Sequence, residues 1–151
     1  MLSSPLILGH DVRYMSEEVF DIITNRDLIL LQQDTLGHQA EVVRQTPGTR
    51  AQQVLLKRLN ESSSPRAVAL FNRANDAATI QLRRADLQLT TDSSRIDASR
   101  CSCLRLVDLE TKADVVSKHC GEGGTMYSAR VLSHQAVVLR VFCVGDQEET
   151  V

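Results

Sequence analysis

The sequence predicts an α+β chain in two parts, a βαβ unit over residues 1–45 and an antiparallel β-sandwich over residues 46–145, with a disordered tail at 146–151. Three observations support this division. Two unbroken apolar runs flank a helical pattern in the first part. Short alternating apolar segments separated by turn residues fill the second part, and the last six residues are mostly polar.

The first part reads as strand, helix, strand. Residues 6–8 and 28–31 are apolar without alternation, as expected for parallel strands covered on both faces. Between them, Ser16 is a suitable N-cap, Glu17 and Glu18 suit the positive end of a helix, and Asn25 is a reasonable stop. A lone βαβ unit cannot cover two such strands, so their burial, worth on the order of 10 kcal/mol, requires partners from outside the unit.

The second part consists of short segments bounded by turn signals such as Asn60–Pro65 and Gly121–Gly124. This pattern is typical of an antiparallel β-sandwich. The candidate strands are residues 52–58, 66–72, 77–83, 102–108, 126–132 and 135–143.

Composition excludes several classes of function. The net charge of -2 and the pI near 6.1 give no electrostatic basis for binding nucleic acid or an anionic membrane. No run approaches the roughly 18 to 20 apolar residues of a membrane helix, and no signal peptide is recognisable at the N-terminus. We therefore expect neither nucleic-acid nor membrane partners.

The four cysteines, Cys101, Cys103, Cys120 and Cys143, lie in the C-terminal third. Their spacing, together with His119, fits a structural zinc site poorly. Reduced thiols packed in a sheet or a single disulfide are the alternatives, and no metal or cofactor is expected. Asn60-Glu61-Ser62 is a formal N-glycosylation sequon that matters only in a secreted chain.

Two stretches carry a family resemblance: SPLILGHDVR at residues 4–13 and NRDLILLQQDTLGHQ at residues 25–39. They resemble the end of the catalytic barrel of α-galactosidases of glycoside hydrolase family 27, the melibiase type. Gln32 and Thr35 depart from that pattern, which usually has Asn and Pro there. Residues 66–82, the segment LRLVDLETKADV and residues 133–141 are similar to strands of the family's second domain.

The resemblance implies a partial (β/α)₈ barrel, represented by its strand 7, helix 7 and strand 8, followed by the C-terminal β-sandwich domain. A complete barrel takes about 250 residues, so the chain is expected to begin inside the barrel. Enzymes of this family are secreted or lysosomal and cleave terminal α-galactosides with two aspartates, which work about 5 to 5.5 Å apart in a retaining mechanism. Those aspartates lie in upstream motifs that this sequence lacks, so no catalytic residue can be carried over.

Asp11 and Asp34 are the alternative catalytic candidates, because each follows a predicted barrel strand at the face where barrel active sites form. The competing interpretation is structural: Asp11 with Arg13 organises a loop, and Gln33 with Asp34 fixes the turn through Gly37. The position of the family's aspartates favours the structural interpretation. His10 and His38 are expected to be loop residues on the same rim.

Three functions follow from these observations. The chain is the C-terminal part of an α-galactosidase-like hydrolase and inactive alone, or it pairs through its apolar strands with a separate barrel chain or with itself, or it is a carbohydrate-binding or structural β-module. Sugar-binding platforms use exposed aromatic rings, which are few and scattered here and therefore disfavour the third. These rings belong to Tyr14, Phe20, Phe71, Tyr127 and Phe142.

Overall fold

The computed structural model contains two antiparallel sheets and describes residues 3–4, 6–9, 11–61, 66–88, 103–121 and 123–144. Within these ranges, eight strands follow two short helices. The helices are α1 (Glu17–Ile23) and α2 (Arg26–Gln32), and a 3₁₀ helix spans Arg84–Leu87. The strands are β1 (Glu41–Gln45), β2 (Gln52–Arg58), β3 (Arg66–Asn72), β4 (Ala78–Arg83), β5 (Cys103–Asp108), β6 (Asp114–Cys120), β7 (Thr125–Val131) and β8 (Ala136–Val144).

The predicted β-sandwich is confirmed. One sheet has six strands in the order β1-β2-β3-β8-β5-β6, and the other pairs β4 with β7. The predicted strands 52–58 and 66–72 coincide with β2 and β3, and the other four predictions lie within one residue of β4, β5, β7 and β8. The sequence analysis missed β1 and β6. Because β1 pairs with β2, the large sheet already begins at Glu41, inside the segment predicted as 1–45.

The main hydrophobic core lies between the two sheets. Leu70 on β3 and Leu139 on β8 are fully buried, as are Leu82 on β4 and Val131 on β7. Inward-facing residues alternate with outward-facing ones along β4, as expected for a strand covered on one face. The core therefore depends on side chains from both sheets, which is the basis of sandwich stability.

Helix α1 begins as predicted. The Ser16 hydroxyl accepts a hydrogen bond from the Val19 amide at 3.3 Å, and Glu17 and Glu18 occupy the first turn. However, no residue of α1 is buried. Its apolar stripe, including Phe20 and Ile22, therefore faces outward without a partner from the described residues.

The two strands predicted in the first part were wrong. Residues 6–9 have no regular secondary structure, and residues 28–31 lie within α2. The Asn25 side chain caps α2 by accepting from the amides of Asp27 at 3.1 Å and Leu28 at 3.3 Å. A strand at residues 28–31 would need a neighbouring strand for its backbone hydrogen bonds, but every strand pair among the described residues is antiparallel and lies within the sandwich. The capped helix forms the backbone hydrogen bonds of residues 28–31 instead.

Helix α2 covers part of the outer face of the large sheet. Leu28 and Leu31, three residues apart, lie on the same side of the helix. They pack with Leu59, Ala67 and Val138 in a second, smaller hydrophobic cluster that also includes Leu109. The Asn25 side-chain amide donates to the Leu109 carbonyl at 2.9 Å, which fixes the start of α2 on the sandwich.

The Asn72 side chain joins the ends of the two sheets. Its Nδ2 lies 2.8 Å from the carbonyl of Asp76, 3.1 Å from that of Val131 and 3.2 Å from that of Leu132. Its oxygen accepts from the Ala74 amide at 3.0 Å. Asn72 is fully buried, so these bonds satisfy groups that water does not reach.

Candidate functional site

The polar loop after α2 contains Asp34, one of the two catalytic candidates. Its two carboxylate oxygens accept separately from the amides of Leu36 at 3.1 Å and Asn60 at 3.0 Å. The Gly37 amide donates to the Asp34 carbonyl at 3.0 Å, and Gly37 has a φ of 67° that favours glycine. Asp34 therefore forms the hydrogen bonds of a turn-organising residue.

Asn60 connects this loop to the turn after β2. Its Nδ2 donates to the Thr35 hydroxyl at 2.9 Å. Next to these residues is a shallow depression of about 320 Å³, floored by Leu30, Leu31 and Leu59, with Asn60 and Arg140 among its polar rim groups. Arg140 forms an ion pair with Glu61 at this rim, which partly neutralises its charge.

Asp11, the second candidate, interacts with the nearby Arg13. Its carboxylate accepts from the Arg13 guanidinium at 2.7 Å and from the Arg13 amide at 3.0 Å. The guanidinium and then the amide hydrogen bond hold the pKa of the Asp11 carboxyl below its ordinary value. An exposed, ionised Asp11 beside an arginine suits a loop better than a proton donor.

Asp11 and Asp34 share no hydrogen-bonding partner among the described residues, since Asp11 bonds within its own turn and Asp34 bonds Leu36 and Asn60. His10 lies outside the described residues. His38 is exposed, and its backbone carbonyl accepts from the Ser3 hydroxyl at 2.8 Å. That Asp11 and Asp34 have no catalytic role stays a prediction.

Sequence reasoning missed Lys57, which holds the start of the described chain. Its side chain is 0% exposed, and its ammonium donates to the Ser3 hydroxyl at 2.9 Å. The Gln32 side chain also donates to the Ser4 carbonyl. The signal in the sequence was that the residues two positions before and after Lys57, Leu55 and Leu59, are both apolar. A lysine in such a position is almost never fully buried without a partner.

Beyond this anchor the chain exposes a large apolar surface, which we call the N-terminal apolar face. Ile7 is 85% exposed, and α1 adds Phe20 and Ile22. A mostly apolar cavity of about 530 Å³ lies between residues 6–8 and the two helices. The other exposed members of this face are Leu6, Leu8, Val12, Tyr14 and Val19. Large exposed apolar patches are typical of interaction sites.

The alternative of reduced thiols is wrong, because every cysteine among the described residues is disulfide-bonded. Cys103 on β5 is bonded to Cys120, directly opposite on β6, and Cys143 is also disulfide-bonded. Cys103 and Cys120 are therefore excluded as zinc ligands. Within the described ranges, no three His, Cys, Asp or Glu side chains lie close enough to hold a metal ion. No helix in those ranges is long and apolar enough to cross a membrane.

Two arginines lie next to the Phe142 ring. The guanidinium carbons of Arg105 and Arg140 lie 4.7 Å and 5.5 Å from the centre of the Phe142 ring. A sugar stacking on the Phe142 ring would have to compete with these two arginine side chains. Tyr14 is exposed on the N-terminal apolar face, far along the chain from Phe142.

The fold and the candidate site together define a β-sandwich module with a partly uncovered helical extension. The family described as the α-galactosidase C-terminal β-sandwich domain matches residues 49–141, more than half of the chain. The chain belongs to this family, which confirms the resemblance to the C-terminal part of α-galactosidases of the melibiase type.

Individual α-galactosidases are also similar to this chain in sequence and in structure. The α-galactosidase of Cyamopsis tetragonoloba is 31% identical over 123 residues, covering 80% of this chain and 28% of the relative. The crystal structure of α-galactosidase I from Mortierella vinacea matches with a TM-score of 0.72 and 22% identity, over 95% of this chain and 34% of that one. The α-galactosidase of Saccharomyces cerevisiae, solved with raffinose, matches with a TM-score of 0.70 and 14% identity, over 92% and 40%. The chain thus spans well under half the length of these relatives.

Proposed function

We propose that this chain is the C-terminal part of a retaining glycoside hydrolase that releases terminal α-linked galactose, and that it is inactive without a catalytic barrel. The observation that carries this proposal is the N-terminal apolar face. Covering its eight exposed side chains would contribute on the order of 10 kcal/mol, which favours a partner over leaving this surface in water.

The partner proposed for this face is the barrel of an α-galactosidase-type enzyme. Residues 1–45 contribute the end of that barrel, with α2 in place of the predicted eighth strand. Residues 3–4 are already held by Lys57, His38 and Gln32, so the face exists before any partner binds. In the complete enzyme, an α-galactoside would bind at the barrel, and the catalytic aspartates would come from it.

A second candidate is a two-chain enzyme, in which a separate chain supplies the barrel. The preformed N-terminal apolar face favours it, since a face that is ordered beforehand loses less conformational freedom on binding. The same face would cause self-association when no barrel is present.

Exposure of the face is tested by a hydrophobic-surface dye and by size-exclusion chromatography. We expect dye binding and association of the pure chain, both reduced by Ile7→Lys. Leu132→Lys is the matched control, because Leu132 is 51% exposed and lies on the turn after β7. A monomer that binds no dye would contradict the proposal.

Pairing is tested by mixing the chain with the barrel portion of the Cyamopsis tetragonoloba relative and adding a chromogenic α-galactoside. We expect the two chains to elute together and turnover to occur only in the mixture. Ile7→Lys should weaken both effects, whereas Leu132→Lys should leave them unchanged. Separate elution of the two wild-type chains would overturn the pairing.

A further inference from the structure

Asn60 lies on an exposed turn immediately after Leu59 and β2. It begins Asn60-Glu61-Ser62, and no other Asn in the sequence is followed two positions later by Ser or Thr. Ser62 itself lies outside the described residues. Since N-linked glycans are added to such sequons at surface positions, the placement of Asn60 meets the first requirement for this modification.

The second requirement is that the Asn60 side-chain nitrogen has a hydrogen that a sugar can replace. Nδ2 carries two hydrogens, and a single hydrogen bond to the Thr35 hydroxyl, at 2.9 Å, uses one of them. Replacing the other hydrogen by a sugar leaves that bond intact. The Asn60 backbone amide, bonded to Asp34 at 3.0 Å, holds the residue in the same place throughout.

The disulfides provide an independent observation. The described part of the chain contains no free cysteine, and Cys103, Cys120 and Cys143 are all disulfide-bonded. Disulfides form and persist in the oxidising secretory pathway and are rare in the cytosol. N-glycosylation takes place in that same pathway.

We propose that Asn60 carries an N-linked glycan whose first N-acetylated sugar lies against the depression beside it. The donor is a lipid-linked oligosaccharide diphosphate. The bond from sugar C1 to the diphosphate oxygen breaks, a bond from C1 to Nδ2 forms, Nδ2 loses one proton, and the lipid diphosphate leaves. The attached sugar covers part of Leu30, which is 46% exposed at the floor of the depression.

The test is translation of the whole chain behind a secretory signal in the presence of microsomes, followed by electrophoresis of the protease-protected fraction. We expect a shift to lower mobility that peptide N-glycosidase reverses. Asn60→Gln and Ser62→Ala should each abolish it, and Asn75→Gln, which changes an asparagine outside any sequon, should retain it.

Two results would overturn the proposal: a protected wild-type chain without the shift, or a shift that persists in Asn60→Gln. Counting only the protease-protected fraction separates failure of modification from failure of translocation. The readout does not involve hydrolysis, so its outcome is independent of the proposed enzyme.

Discussion

Replacing the buried Asn72 should destabilise the sandwich more than any change on its surface. Asn72→Ala removes the donor to three carbonyls, of which that of Val131 is fully buried. A buried carbonyl without a partner costs about 1 to 3 kcal/mol, and the two half-buried carbonyls add smaller amounts, so we expect a loss of about 3 kcal/mol. In urea this lowers the unfolding midpoint by roughly 1.5 M for a domain of this size.

The Asn72→Asp variant distinguishes the contribution of the hydrogen bonds to stability from that of the volume that the side chain fills. The aspartate keeps the volume but places a negative charge among three carbonyl oxygens, which raises its folded-state pKa above the unfolded value of about 3.9. The stability contributed by the protonated side chain is then fully present below about pH 3.9 and is lost as the pH rises from there through the raised folded-state pKa. Asn72→Asp should therefore be closer to wild type at pH 4 than at pH 7.

Asn75→Ala is the control, because Asn75 is on an exposed turn and contacts only His134 at 3.2 Å among the described residues. It should stay within about 0.5 kcal/mol of wild type. If Asn72→Ala behaved like Asn75→Ala, or if the stability of Asn72→Asp did not depend on pH, the role given to Asn72 would be wrong.

Two further predictions concern β5, β6 and β7. Changing both Cys103 and Cys120 to Ala should lower the free energy of unfolding by about 3 kcal/mol, because the disulfide closes a loop with a sequence separation of 17; an unchanged urea midpoint would contradict this. Burial, and secondarily the charge of Asp108, raises the pKa of Tyr127 above 10.0. The Tyr14→Phe variant leaves Tyr127 as the one tyrosine, so its phenolate absorbance in the native chain should rise above pH 10, at a higher pH than in denaturant. The free energy of unfolding should fall as the pH passes that range. Identical titration curves for the native and the denatured chain would refute the raised pKa.

The strands of the sandwich were predictable wherever they place buried apolar side chains in the core. β2, β3, β5 and β8 lie inside the large sheet and show the expected apolar residues. The missed strands β1 and β6 are its two edges, and their side chains are exposed or half-buried. The strands β4 and β7 are also edge strands, but each alternates buried and exposed side chains over the core, whereas β1 and β6 have no buried side chain and so show no such pattern.

Helix α2 was missed for a different reason. A run of four apolar residues fits a buried strand and a helix equally well, and only the cap distinguishes them. Asn25 followed by Asp27 was that cap signal, although it was interpreted as the end of the preceding helix.

Lys57, Asn72 and Asp86 were beyond prediction in detail, because their partners are far away in sequence. Asp86, for example, is buried and pairs with Arg44 at 2.9 Å across 42 positions. Asp11 and Asp34 each form a hydrogen bond within their own loop, and that neither is catalytic stays a prediction. The sequence could not give partners on distant elements, such as the amide of Asn60.

The most direct test of the account is the activity of the pure 151-residue chain on a chromogenic α-galactoside. We expect no turnover above that of buffer, because the catalytic aspartates are proposed to belong to a barrel that must bind the N-terminal apolar face. Turnover by the chain alone, abolished by Asp11→Asn or Asp34→Asn, would contradict the central claim.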